Sequence, residues 1–503
     1  MWVLVFTVGL LASLGSPTLA QSPAPWSATS PAYDSAHRAV STQSAEAQRA
    51  FDEGLTLLDA FNPREARRAF RQAATADPNL AMAYWGTALS YGVNINTNYD
   101  PVAQRSGHDA VVQAQAHEAG ASAVERALIA AAQERYAATG PGDTDRSARA
   151  FRDAMAAVAQ KYPNDDDVLT LAAEAELDVH PWNQWTSDGR PVEGTERAIA
   201  WLKTVLARDP GHIQAEHLYI HAVEASPHPG DALDAARRLA AYRFEPAAEH
   251  LTHMPAHTFM RVGEYSQAGE SNAAAIAMFD AYLAGPHEPG HESYRGHDCS
   301  FAVAAFAMAG TYALARDSAA QCGTSSRKLL ALTAIRFRNW QDLAPVANVT
   351  PYTDAVEALR AGNVAEATRD EQTLRKDKSG TASIAVRVVQ ADIDAAHGER
   401  DAQIADLVAA VDLQDGLGYA EPPAWYFPIR EALGAAYFEA GRYGDAERAF
   451  RDDLARNPQN PRSLYGLART LERENRAADA AATDRAFQLA WQHADETLTM
   501  EDI

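Results

Sequence analysis

The chain has 503 residues, and its 44 Lys and Arg against 67 Asp and Glu leave a formal charge of −23. That length exceeds what one compact core fills, so several domains or an extended repeat array are required. The deficit of cations argues against a general nucleic-acid binder, and two cysteines exclude a disulfide framework.

The opening MWVLVFTVGLLASLGSPTLAQS joins an apolar run to Pro17, Thr18 and Ala20, the pattern of a secretory signal over residues 1–20, although no Lys or Arg precedes the run. No other stretch is long and apolar enough to span a bilayer, so cleavage before Gln21 predicts a periplasmic or secreted protein, and retention of the segment predicts a membrane tether. Residues 21–45 read as a linker. Beyond them, short Gly and Pro signals separate stretches rich in Ala, Leu, Arg and Glu, which is the composition of packed helices. In FDEGLTLLDAFNPREARRAFRQAATADP, Gly54, Leu57, Ala66, Phe70 and Pro78 mark a first helical hairpin. Asn94, Asn96 and Asn98 follow in YGVNINTNYD; such turns usually cap their own backbone, though here they could also line a groove.

Histidines dominate the middle of the chain. EHLYIHAVEA carries His217 and His221, and HLTHMPAHTFMRVGEY carries His253 and His257, with His250 three residues ahead. Residues four apart share a helical face, so each pair brings two imidazoles to one point. Pro255 lies between His253 and His257, where a helix either kinks or begins. Two insertions flank the pairs, PWNQWTSDGRPVEGT at 181–195 and AGPHEPGHESYRG at 284–296. His180, His228, His287 and His291 lie beside prolines or in these loops and read as surface residues. GHDCSF then adds His297, and AAEAEL, upstream of the pairs, adds Glu174.

Near the C-terminus, GYAEPPAWYFPIR (418–430) holds Glu421, Trp425, Tyr426 and Arg430, either as a wall of a ligand pocket or as packing between repeats. Leu433, Gly434, Tyr437, Gly441, Tyr443, Ala446, Phe450 and Pro458 then fall at a clear helix–turn–helix spacing. The next unit, SLYGLARTLERENRAADAAATDRAF, continues it more loosely. Residues 46–345 read as one array with the histidine-rich groove, 346–494 as a second, and 495–503 as a tail.

This spacing resembles the tetratricopeptide repeat over most of residues 46–494. The resemblance implies an all-α fold, a right-handed α-solenoid of ten to twelve hairpins. It also implies that first helices line a concave surface, with their second, fifth and ninth positions facing inward. His217 and His221 then take the fifth and ninth positions of one first helix, and His253 and His257 the same positions of the next. His250 takes a second position, His297 the second of the following repeat, and Glu174 the ninth of the preceding one. Cys299 and Cys322 fall where that repeat brings two positions face to face, which implies a disulfide, although buried thiols are the alternative from composition alone. The segment HMPAHTFMRVGEY, with EHLYIHAVEAS and EPPAWYFPIREALG, resembles a bacterial tetratricopeptide family with an HMPxH-type motif. That likeness implies the fold and the motif but no reaction, and it implies a second histidine where this chain has Ser300.

Imidazoles at such positions suit Zn, Cu or Fe. The candidate ligands are His217, His221, His250, His253, His257 and His297. A mononuclear site of three or four ligands requires less coincidence than a dinuclear centre with three imidazoles per metal. Three functions fit: a protein binding a metal or small ligand in its groove, a metalloenzyme with Glu174 or Glu224 as proton acceptor, or a metal-free scaffold for a peptide or protein partner. No HExxH helix is present, and P-loop, Rossmann and GxSxG motifs are missing from the sequence.

Overall fold

The computed structural model describes residues 33–97, 100–136, 144–291, 294–346 and 349–503. The expected signal segment, the linker up to residue 32 and Asn98 lie outside the described residues. With the kinked stretch from Glu249 to Val262 counted as one helix, the described residues form twelve successive helical hairpins, from Ala45–Asp59 with Pro63–Ala76 to Pro461–Arg473 with Ala477–Ala490. Each helix packs on its hairpin partner, and nearly every hairpin packs on the next. No described helix is long and apolar enough to cross a membrane.

Local chemistry explains the repeating unit. Asn62 accepts from the Glu65 amide and Pro63 opens the second helix of the first hairpin, so the turn is capped on its exit side. Phe70 on that second helix lies against Gly54 of its partner and Gly86 of the next hairpin; a Cβ at either glycine would sit 2.6 or 2.5 Å from the ring. Ten hairpins on, Phe450 does the same against Gly434 and Gly466, where a Cβ would come within 2.6 or 2.2 Å. One buried aromatic thus locks three helices, and it can do so only because the facing residues have no side chain.

The array curls back on itself. Asn62 Nδ2 donates to the Ala247 carbonyl at 2.9 Å, which brings the first hairpin to the approach of the sixth. Tyr265 Oη donates to the Pro458 carbonyl at 2.9 Å, and Gln459 Nε2 to the Val262 carbonyl at 3.1 Å, so the last hairpins also meet the sixth. The histidine-bearing hairpins are therefore flanked by both ends of the array of described hairpins. One continuous apolar core runs from Ala47 to Ala309, while the C-terminal hairpins hold smaller separate cores.

Both insertions expected from the sequence fall between helices. The first separates Asp166–Leu177 from Thr195–Arg208 and is closed by the bridge between Trp185 and Pro191. The second leads from Tyr265–Ala284 to Tyr294–Ala309. Cys299 and Cys322 are bonded, with their Cα atoms 5.6 Å apart, and staple the seventh hairpin.

Candidate metal centre

His217 and His221 occupy the helix Ile213–Val223, whose first turn is capped by His212, and both are buried. At Pro255 the structure combines the two expectations. Glu249–His253 and Pro255–Val262 are separate helices, but Met254 between them keeps right-handed helical angles, so the axis bends without becoming a loop. Pro255 stands in the first turn of its own helix, where a missing N–H costs little. His250 and His253 lie before the bend and His257 after it. His297 comes from the first turn of Tyr294–Ala309.

The six imidazoles sort into two triads. His217, His221 and His250 form one, and His253, His257 and His297 the other, with the ligand nitrogens of each triad within 4.8 Å of one another. A single mononuclear site was the simpler expectation. The rings instead sort by position, with His250 grouped with His217 and His221 of the Ile213–Val223 helix, and His253 and His257 with His297. In the second triad, His253 Nε2 lies 2.8 Å from His257 Nε2 and 3.2 Å from His297 Nε2. Nitrogens bound tetrahedrally at zinc-like distances stand about 3.3 Å apart, so this convergence is close to a bound geometry. In the first triad, Nε2 of His217, His221 and His250 are buried without hydrogen-bond partners. Such atoms each cost about 1–3 kcal/mol unless a ligand or ion takes them.

The opposite edges of most of these rings are held. Gln214 Oε1 accepts from His217 Nδ1 at 3.0 Å, and Asn272 Oδ1 accepts from His253 Nδ1 at 2.7 Å, with Asp298 at 3.3 Å from the same nitrogen. Glu224 accepts from His221 Nδ1 at 2.9 Å and forms an ion pair with His257 Nδ1 at 2.5 Å. Such outer partners fix the tautomer that points Nε2 at a metal. Burial and the neighbouring imidazoles push His217, His250 and His253 well below the ordinary histidine range, and His297 down to about 3, so these rings are neutral and able to ligate. Burial also lowers His221 although Glu224 opposes it, whereas at His257 Glu224 outweighs burial and raises the ring. Burial resists ionisation of Glu224, but His257 and His221 outweigh it and hold the carboxylate below its usual range.

Both triads open on a cavity of about 400 Å³ lined also by Phe61, Trp182 and Tyr294. Phe61 reaches it from the first hairpin, its ring 4.6 Å from His217, 6.0 Å from His221 and 5.1 Å from His250 between centroids. It stands at the hairpin turn with φ 52°, where five later hairpins place Gly263, Gly310, Gly362, Gly398 and Gly441 at φ 74–86°. A bulky residue in that left-handed position is an outlier. Phe301 backs the second triad, 5.3 Å from His257 and 5.8 Å from His253.

The remaining candidates are scattered. Glu174 lies one step outside the first triad, bonded to Gln214, the residue that holds His217. Glu224 joins the triads, and Tyr419 Oη donates to it at 3.1 Å and to Glu421 at 3.2 Å; burial raises Glu421 to about 7. Trp425, Tyr426 and Arg430 do not line the histidine cavity: Trp425 packs on Tyr352 at 5.2 Å, Tyr426 packs against the core of the seventh hairpin, and Arg430 pairs with Asp415. His291 is buried rather than a surface residue, donates to Glu249 at 2.8 Å and lines the cavity. Asn94 and Thr97 cap their own turn as expected, while Asn96 also donates to Tyr294 Oη at 3.3 Å. Phe61, Asn272 and Asp298 were not singled out from the sequence. Of these, only Phe61 leaves a trace there, as an aromatic residue at a turn where five later hairpins carry glycine.

No protein-family profile matches the chain, and no curated protein matches its sequence. Among solved structures, the human IFIT1 dimer with m7Gppp-AAAA is 12% identical, with a TM-score of 0.32 over 89% of this chain and 91% of that one. The TPR domain of P58(IPK) is 13% identical, with a TM-score of 0.21 over 86% and 99%. The APC/C hetero-tetramer Cut9–Hcn1 is 10% identical, with a TM-score of 0.30 over 92% and 95%. Likenesses this loose assign nothing to the histidine cavity. The stacked hairpins themselves, locked by aromatic residues against glycines, make this chain an α-solenoid of tetratricopeptide type.

Proposed function

We propose that this chain is a dinuclear metalloenzyme, each metal held by three imidazoles and both facing one substrate cavity. The carrying observation is the division of six buried histidines into two triads with converging nitrogens. Three protein ligands leave a metal an open position for water or substrate, which is the arrangement of catalytic rather than structural sites. A donor set of imidazoles without a carboxylate suits copper or zinc, and it disfavours magnesium, calcium and manganese. Glu224 is hydrogen-bonded to His221 of one triad and ion-paired with His257 of the other, so it orients ligands, and the Tyr419–Glu421 pair beyond it offers a path for protons.

The reading is tested by element analysis. Protein purified without an affinity tag and offered copper, zinc or iron separately should retain two copper or two zinc ions per chain after exhaustive dialysis. Retention of none would sink the metal reading and leave a repeat scaffold. Export is part of the proposal. The apolar opening segment supports it, and the Cys299–Cys322 bond suits an oxidising compartment.

A further inference from the structure

The mouth of the cavity carries features that metal binding does not need. Trp182 is 42% exposed and 5.8 Å from His221, edge to face, with its backbone in the left-handed region at φ 60°. Strain of that kind gathers at working sites. Its loop is firmly anchored: Trp185 Nε1 donates to the Ala222 carbonyl at 2.8 Å, the Val192 amide to Gln184 at 2.8 Å, and Thr195 Oγ1 to Gln184 at 2.9 Å. The indole is therefore presented at a fixed place. Tyr294 lies 4.6 Å from His250, and Phe61 closes the inner side. Three aromatic rings from three different hairpins wall one slot in front of the imidazoles.

Arg64 stands at the same mouth, exposed and without a carboxylate partner among the described residues. Its guanidinium has a built seat. Gly290, at φ 95°, lies beneath it, and a Cβ there would sit 2.8 Å from Cζ. In a chain of charge −23, where arginines are commonly paired, this cation has no carboxylate among the described residues and stands beside an aromatic slot.

We infer that the cavity takes a planar aromatic carboxylate, with its ring among Trp182, Phe61 and Tyr294 and its carboxylate on Arg64. Aromatic faces favour offset or edge contacts with a ring, and a guanidinium fork matches a carboxylate in two parallel hydrogen bonds. The cavity volume of about 400 Å³ lies within the range of small-ligand pockets and suits an acid of one or two rings. Anchored in this way, the far edge of the ring points toward the triads. The assignment rests on the dinuclear reading for its purpose, but its contacts come from residues outside the triads.

Calorimetric titration with benzoate, cyclohexanecarboxylate and benzyl alcohol tests it, on protein of measured metal content and on chelator-stripped protein. Benzoate should bind at least tenfold more tightly than the other two. Binding should persist in stripped protein, because Arg64 rather than a metal takes the carboxylate. Arg64→Ala should weaken benzoate at least tenfold without affecting benzyl alcohol, Arg64→Lys should recover part of the loss, and Trp182→Ala should reduce the preference for benzoate over cyclohexanecarboxylate. Unchanged benzoate affinity in Arg64→Ala, or no preference for the aromatic acid, overturns the inference. Benzoate binding through Arg64 in a chain that holds fewer than two metals supports the ligand and contradicts the dinuclear centre.

Discussion

His221 and His257 belong to different triads, yet both meet a single carboxylate, Glu224: His221 Nδ1 donates to one oxygen at 2.9 Å, and His257 Nδ1 forms an ion pair with the other at 2.5 Å. Both rings, and so both sites, are aimed by one side chain. Glu224→Gln keeps the size of that side chain but leaves only one oxygen to accept. Loss of an outer partner of a ligating histidine typically costs tenfold to a hundredfold in metal affinity. Chelator competition should therefore show both metals weakened in Glu224→Gln, with helical content unchanged. Weakening of one site alone would show that the carboxylate does not link them.

Phe61→Gly pits two effects against each other. Removing a side chain from the left-handed turn relieves about 1–3 kcal/mol of strain, but emptying a buried aromatic site costs about 3–5 kcal/mol. Packing wins, and the variant should lose about 2 kcal/mol of stability in chemical denaturation. A variant more stable than the native protein would show that the ring contributes little to the first triad's surroundings.

Much of the site was legible in the sequence because the repeat register is periodic. His217 with His221, and His253 with His257, fell on adjacent first helices before any coordinates were needed, and His250 and His297 joined them. Their division was not legible from the register alone, and a proline in a helical pattern allows either a kink or a start. Phe61 was hidden for another reason. It reaches His217 across the winding of the whole array, fixed by the bond from Asn62 to Ala247 at a separation of 185 residues, and no local pattern records that distance. Trp425 and Arg430 show the converse: with Glu421 and Tyr426 they do line a cavity, but one separate from the histidines, while Trp425 also packs on Tyr352 and Arg430 pairs with Asp415.

The Cys299–Cys322 bond closes a loop with a sequence separation of 23. Loop-closure entropy at that length contributes about 3 kcal/mol. Alkylation of the denatured, unreduced protein should add no mass, and alkylation after reduction should label both cysteines. The reduced protein should melt at a lower temperature. Labelling of both thiols without reductant would remove the disulfide from the account.

Glu245 gives a pH dependence of known sign. Burial raises it, as does the nearby Glu53, while Arg68 opposes and Glu65 adds, bringing the carboxyl up to about 7 from 4.5. The folded chain thus holds a proton that the unfolded chain has released. The associated stability is fully present below the unfolded value and is lost as pH rises through about 7. Glu245→Gln should accordingly be more stable than the native protein at pH 8 and no more stable at pH 4.5, read by thermal melts. An equal gain at both values would mean that the group does not titrate in this window.

The central claim is that six histidines hold two metals in one cavity, and anomalous diffraction from crystals of copper- or zinc-loaded protein tests it most directly. Two metal peaks should appear, one within about 2.0–2.1 Å of nitrogens from His217, His221 and His250, and the other at the same distances from His253, His257 and His297. A single peak shared among the six rings, or no peak in the cavity, would contradict it.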